Sequence, residues 1–125
     1  MKVGVVSDTH LRQGEMVPAS IFEVMAGVEM ILHAGDIVAL SVIEALEALA
    51  PVYAVRGNMD PISVSSALPE RRVVPASGKG IGLIHGWGAP RGLEGRVQER
   101  FSGDAVQVIV YGHSHHPAAD RVGAV

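Results

Sequence analysis

Seven side chains suited to metal coordination recur in five short motifs: Asp8-x-His10, Gly35-Asp36, Gly57-Asn58, His85-Gly86 and Gly112-His113-x-His115. They comprise two carboxylates, one carboxamide and four imidazoles. Nitrogen and oxygen donors of this kind suit Mn²⁺, Zn²⁺ or Fe and argue against Cu(I) or an iron–sulfur cluster. Seven donors are too many for one tetrahedral ion, and one carboxylate shared between two ions would account for them. Asp8 and His10 are two residues apart, as are His113 and His115, so an extended backbone would send each pair to one side. Each motif alone is ordinary. Gly-Asp and Gly-Asn are common turn dipeptides, and a lone histidine such as His85 is more often structural than a ligand.

Their placement changes that reading. Lys2–Ser7, Met30–His33, Val52–Val55, Gly80–Ile84 and Val106–Tyr111 are short apolar runs of strand character, and a motif follows each one. Between them the pattern predicts helices. One covers Ala19–Ala26, with Ile21, Phe22 and Met25 on one face. Another starts at Ser41, with Glu44 completing a capping box and Val42, Leu46 and Leu49 as its apolar stripe. A third carries Leu93, Val97 and Phe101 four residues apart. Arg72–Pro75 reads as a short edge strand that meets Gly80–Ile84 through a hairpin or second sheet. Strands alternating with helices predict an α/β protein with a mainly parallel sheet, whose strand ends bring distant residues together.

Composition narrows the function. A chain of 125 residues predicts a single domain over 1–125. It is 48% hydrophobic and only 4% aromatic, so its core must be mainly aliphatic and alanine. A formal charge of −3 gives no electrostatic case for a nucleic-acid surface. The absence of cysteine excludes disulfides, thiolate ligands and cysteine nucleophiles. No apolar run is long enough for a signal peptide or membrane span, which predicts a soluble cytoplasmic protein.

In their order, the five motifs resemble those of the calcineurin-like metallophosphoesterase superfamily. The resemblance is greatest to its small single-domain phosphodiesterase branch, which includes the retromer scaffold subunit, and it spans residues 3–117. It implies a β-sandwich flanked by helices, in place of one open sheet. It also implies a dinuclear centre: Asp8, His10 and His115 on one ion, Asn58, His85 and His113 on the other, and Asp36 bridging. The cofactors would be two divalent cations, Mn²⁺ first, with Zn²⁺, Fe or Ni²⁺ as substitutes. The activity would be hydrolysis of a small phosphate ester, preferring diesters, by a metal-bridging hydroxide, with Asp36, Asn58 and His85 as catalytic members.

Two departures from the larger phosphatases of that superfamily stand out. Met59 occupies the place of a histidine thought to protonate the leaving group, so weak action on poor leaving groups is expected. No aspartate follows Asp36 in the run to Ala39. Relatives also continue beyond the last histidine motif through further strands, so the resemblance implies a C-terminally short sandwich. An unpaired sheet edge would then favour a homodimer or aggregation.

The rival function is a non-catalytic, protein-binding scaffold of the same fold. The complete donor set favours catalysis, and the short C-terminus favours the rival. A mononuclear binding domain would leave Asn58 and His85 unexplained. Around the motifs, His33 reads as a core or supporting residue, and Arg56 and His116 are candidates for touching substrate. Trp87 is a candidate for the pocket mouth. Arg91, Arg96 and Arg100 read as the solvated face of a helix.

Overall fold

A computed structural model describes residues 1–14 and 17–115. Its elements run β1 (Val3–Val6), α1 (Ala19–Val24), β2 (Met30–His33), α2 (Leu40–Glu47), β3 (Val52–Ala54), α3 (Ile62–Ser65), β4 (Arg71–Ala76), β5 (Lys79–Ile84), α4 (Leu93–Arg100) and β6 (Val108–Val110). They form two three-stranded sheets, in the orders β1-β2-β3 and β4-β5-β6. The first sheet is wholly parallel. In the second, β4 and β5 form an antiparallel hairpin and β6 joins β5 in parallel. Ser77 and Gly78 both take positive φ at the hairpin turn (51° and 78°), the backbone a two-residue turn between twisted strands requires.

The predicted single open sheet is thus divided in two, and the sandwich implied by the resemblance is the correct description. Side-chain alternation builds its layers. Met30 and Leu32 of β2 face Val74, Ile81 and Leu83 of the other sheet, with Val55 between them. On the opposite face of β2, Ile31 packs under Val42 and Leu46 of α2 and Met25 beyond α1. All four β2 residues are buried, as a parallel strand covered on both faces demands. On the second sheet, Leu93, Val97 and Phe101 close over Ile84 as the four-residue spacing predicts, and none is more than 3% exposed. Gly82 makes room there: a Cβ would meet the Phe101 ring at 3.0 Å. Burying each of these apolar side chains contributes about 1.5–3 kcal/mol.

Three local expectations need correction. Helix α2 begins at Leu40 behind Ala39 and has no side-chain cap. The Ser41 hydroxyl instead accepts the Gly14 N–H at 2.8 Å, tying the loop after β1 to the helix. The Val106–Tyr111 strand is shorter, only Val108–Val110. Helix α3 was not expected, because Ile62-Ser-Val-Ser65 is made of poor helix formers; Pro61 stands at its N-cap in extended backbone, and its carbonyl accepts the Val64 and Ser65 amides. Among the described residues, no helix is long and apolar enough to cross a membrane.

Candidate metal centre

The parallel ladders continue past the strand ends and stitch the motif loops together. Asp8 N–H donates to Gly35 O at 2.9 Å, His10 N–H to Asp36 O at 3.1 Å, and Gly112 N–H to His85 O at 3.1 Å. The backbone at these motifs is not extended, as the two-residue spacing suggested. Asp8, His10, Asp36, His113 and His115 all sit at left-handed φ, between 51° and 72°. In each pair both ligand-type residues, but not the one between them, take this conformation, at a cost that functional sites often carry.

All seven expected donors are gathered at one end of the two sheets. Each carboxylate is divided in the same way. Asp36 Oδ1 accepts the Met59 N–H at 2.7 Å, while its Oδ2 lies 3.5 Å from His10 Nε2 and 3.3 Å from His85 Nε2. Asp8 Oδ2 accepts the Ser7 hydroxyl and, at 3.2 Å, the His113 N–H. Its Oδ1 faces His115 Nε2 at 3.3 Å, His85 Nε2 at 3.8 Å and His10 Nε2 at 4.0 Å. Asn58 Oδ1 is 2.9 Å from His85 Nε2 and 3.1 Å from His113 Nδ1. Asp36 and His85 are each only 2% exposed, and His10, Asn58 and His115 form the open side.

This arrangement suits divalent cations. One donor atom from each of Asp8, His10, Asp36 and His115 can be chosen so that all lie within 4.8 Å of one another. Donors on one ion at about 2.1 Å are separated by about 3.0 Å in an octahedron and about 3.4 Å in a tetrahedron, close to the shorter contacts here. Asp8 Oδ1 is buried with no hydrogen-bond partner, a costly state for an anionic oxygen unless a cation faces it. The histidine tautomers point the same way. A carbonyl only accepts, so His85 Nδ1 must carry the proton it shares with Ala34 O at 2.8 Å. By the same reasoning His113 Nε2 donates to Gly88 O at 2.7 Å. The lone pairs of His85 Nε2 and His113 Nδ1 then face each other at 3.3 Å beside Asn58 Oδ1. Three acceptors converging without a donor call for a cation.

Electrostatics at Asp8 are prepared for this. Burial opposes its ionisation, but the Ser7 hydroxyl, the His85 ring, the His113 amide and the His115 ring outweigh burial and hold the carboxyl below its usual range. His33 behaves as the supporting residue expected. It is fully buried, lies 3.1 Å from the Thr9 hydroxyl and accepts the Gly35 N–H at 3.2 Å. Burial lowers its pKa to about 4, so it is neutral at physiological pH.

Asp60 is the residue that sequence reasoning passed over. Its Oδ2 accepts the Asp36 N–H at 3.1 Å and the Gly57 N–H at 2.8 Å, and its Oδ1 accepts the Val38 N–H at 2.6 Å. It thereby anchors the loop after β2 to the loop after β3. Its only signal in the sequence is an acid beside Gly57-Asn58, two residues from a proposed ligand. Gly57 admits this closeness, since a Cβ there would stand 2.2 Å from Asp36 Oδ1. Met59 is 60% exposed. Arg56 donates to Leu68 O at 3.2 Å, and Trp87 is 40% exposed. Arg96 is partly exposed, as a residue on a solvated face would be, but its guanidinium also binds the carbonyls of Trp87, Ala89 and Arg91. His116 lies outside the described residues.

Fold and donors together define a helix-flanked β-sandwich that gathers at one end a cluster of side chains able to hold a metal ion. The chain belongs to the calcineurin-like phosphoesterase superfamily, whose domain model matches residues 1–125. A probable metallophosphoesterase of Methanothermobacter thermautotrophicus is 36% identical over 118 residues, covering 94% of this chain and 68% of that protein. A solved archaeal phosphodiesterase superimposes with a TM-score of 0.76 at 25% identity, over 100% of this chain and 80% of that one. The zinc complex of Vps29 from Entamoeba histolytica gives a TM-score of 0.74 at 25% identity, over 99% and 70%.

Proposed function

We propose that this protein is a phosphodiesterase that works with two divalent cations. Asp8, His10 and His115 would hold one, Asn58, His85 and His113 the other, and Asp36 would serve both. The observation that carries this reading is the position of Asp36 Oδ2, 3.5 Å from an imidazole of the first group and 3.3 Å from one of the second. When bound, such a pair neutralises phosphate charge and lowers the pKa of water, so that a hydroxide nucleophile is available near neutral pH. Mn²⁺ is the first choice for this donor set, and the zinc complex of Vps29 supports Zn²⁺ as a substitute.

The chain's own residues divide the remaining work. The anchored oxygens of Asp8 and Asp36 fix the orientation of the free ones, so the acceptors are in place before a cation arrives. The buried His85 cannot swing away, because Ala34 O holds its far nitrogen. His10, Asn58 and His115 leave one side open for a phosphate ester. Met59 offers no proton to the leaving group, which favours substrates that release a stabilised anion such as a phenoxide. Similarity to the archaeal phosphodiesterase supports a diester.

The test is Mn²⁺-dependent hydrolysis of an aryl phosphodiester, beside its monoester, by chelated protein, with His85→Ala as the control. Metal-dependent diester cleavage that His85→Ala abolishes is the expected result. Folded protein with no cleavage above that control would move the reading to a protein-binding scaffold. That second reading draws on the likeness to Vps29 and on the exposed apolar side chains of Met59 (60%) and Ile62 (82%), close in sequence to Asn58.

A further inference from the structure

The loop from Gly86 to Gly92 is largely exposed and has no helix or strand of its own, yet several of its carbonyls turn toward one side chain. That side chain is Arg96, one turn into α4. Its Nε donates to Trp87 O at 3.1 Å, Nη1 to Arg91 O at 3.0 Å, and Nη2 to Trp87 O at 2.7 Å and to Ala89 O. The planar guanidinium is well matched to several carbonyls in one plane, which a lysine ammonium cannot span. Two glycines let it lie flat on the loop. A Cβ at Gly88, where φ is 79°, would meet Arg96 Nη2 at 3.2 Å, and one at Gly92 would meet Nη1 at 3.3 Å.

Gly88 stands between Trp87 and Ala89, whose carbonyls Arg96 holds, and its own carbonyl receives His113 Nε2 at 2.7 Å. That hydrogen bond sets the His113 tautomer, with the proton on Nε2. It leaves Nδ1 directed at Asn58 Oδ1 and His85 Nε2, at 3.1 Å and 3.3 Å. We propose that Arg96 is a positioning residue for His113: by gathering the Trp87, Ala89 and Arg91 carbonyls it aims the Gly88 carbonyl, and so presents His113 Nδ1 to the cation site. The proposal rests on the reading of His113 as a ligand. Arg96 touches no donor itself. It acts through one loop carbonyl, as residues behind a ligating histidine do.

The experiment compares wild type with Arg96→Lys, which keeps the charge, and Arg96→Ala. Nitrogen-15 spectra of the metal-free proteins report the His113 tautomer, and Zn²⁺ titration calorimetry reports affinity. The expected result is a mixed His113 tautomer in both variants and a loss of about tenfold in affinity for the Zn²⁺ equivalent bound by His113. The other equivalent should be affected less, because the tie to its ligand Asp8 comes from the His113 backbone N–H and not from the ring. A His113 ring that keeps Nε2–H in folded Arg96→Lys overturns the proposal, whatever Arg96→Ala does. His113→Ala separates the two levels: if it leaves Zn²⁺ binding intact, the ligand reading fails independently of Arg96.

Discussion

Asp60 Oδ1 accepts the N–H of Val38 at 2.6 Å, and Val38 is a β-branched residue held at φ 76°. Few valines adopt that backbone without an external restraint. The same carboxylate holds the Asp36 and Gly57 amides, so one side chain restrains both loops that carry Asp36 and Asn58. Asp60→Ala should therefore destabilise the protein by about 3 kcal/mol in urea unfolding, because three amides lose a charged acceptor. Mn²⁺ affinity should fall with it, and Asp60→Asn should be intermediate. Wild-type affinity in Asp60→Ala would mean that the loops hold themselves.

Gly57→Ala is the smallest change expected to disable the site. The new methyl would stand 2.2 Å from Asp36 Oδ1 and 2.4 Å from its amide nitrogen. Turning the carboxylate relieves only the first of these contacts, so the backbone of one loop must shift as well. Mn²⁺ affinity measured by calorimetry should drop at least about tenfold, with little change in the core. Unaltered binding would show that the two loops have slack.

His33 predicts the acid sensitivity of the metal-free protein. Its pKa is lowered from 6.5 to about 4 by burial, so between those values the unfolded chain binds a proton that the folded chain refuses. Stability from this group is complete above the unfolded pKa and is lost as pH falls toward 4, by about 3 kcal/mol in all. Asp8, whose carboxyl is held low, adds a further loss in the same direction at more acidic pH. Unfolding free energies of chelated protein across this range check the slope. A His33 ring signal titrating near 6.5 would contradict it.

Met59→His places a proton donor beside the site at a position 60% exposed. If the proposed diesterase lacks only an acid for its leaving group, hydrolysis of an alkyl phosphodiester should rise about tenfold or more while aryl diesters change little. A bell-shaped rate profile with a new limb near the histidine pKa should accompany the gain. Equal effects on both esters would point to altered binding instead.

The sequence shows the donors better than the backbone that aims them. Strand ends placed all seven candidates, because parallel strands must deliver their carboxyl ends to one edge. The spacing of Leu93, Val97 and Phe101 gave the helix that covers the second sheet. The division into two sheets was less visible. It depends on whether Lys79–Ile84 pairs with β4 and β6 or extends the first sheet, a choice made by long-range packing of Ile81 and Leu83 against Leu32. Ser41 misled because its hydroxyl has a stronger claim from the Gly14 amide than from its own helix. Asp60, Ser7 and Arg96 were missed as supports for a common reason. Each acts on backbone amides or carbonyls, or on one neighbouring carboxylate, and such contacts leave no pattern in spacing.

The left-handed backbone at five of the donors has a consequence for how this domain would drift under selection. For residues with a Cβ that conformation is uphill by roughly 1–2 kcal/mol each, so the metal-free chain is less stable than its core alone would make it. Glycine at His10, His113 or His115 would remove a proposed ligand and relax the backbone in one step. If the proposed metal site were no longer needed, a lineage would therefore gain robustness by losing these histidines. Retention of all of them is, in this fold, the more demanding condition to maintain.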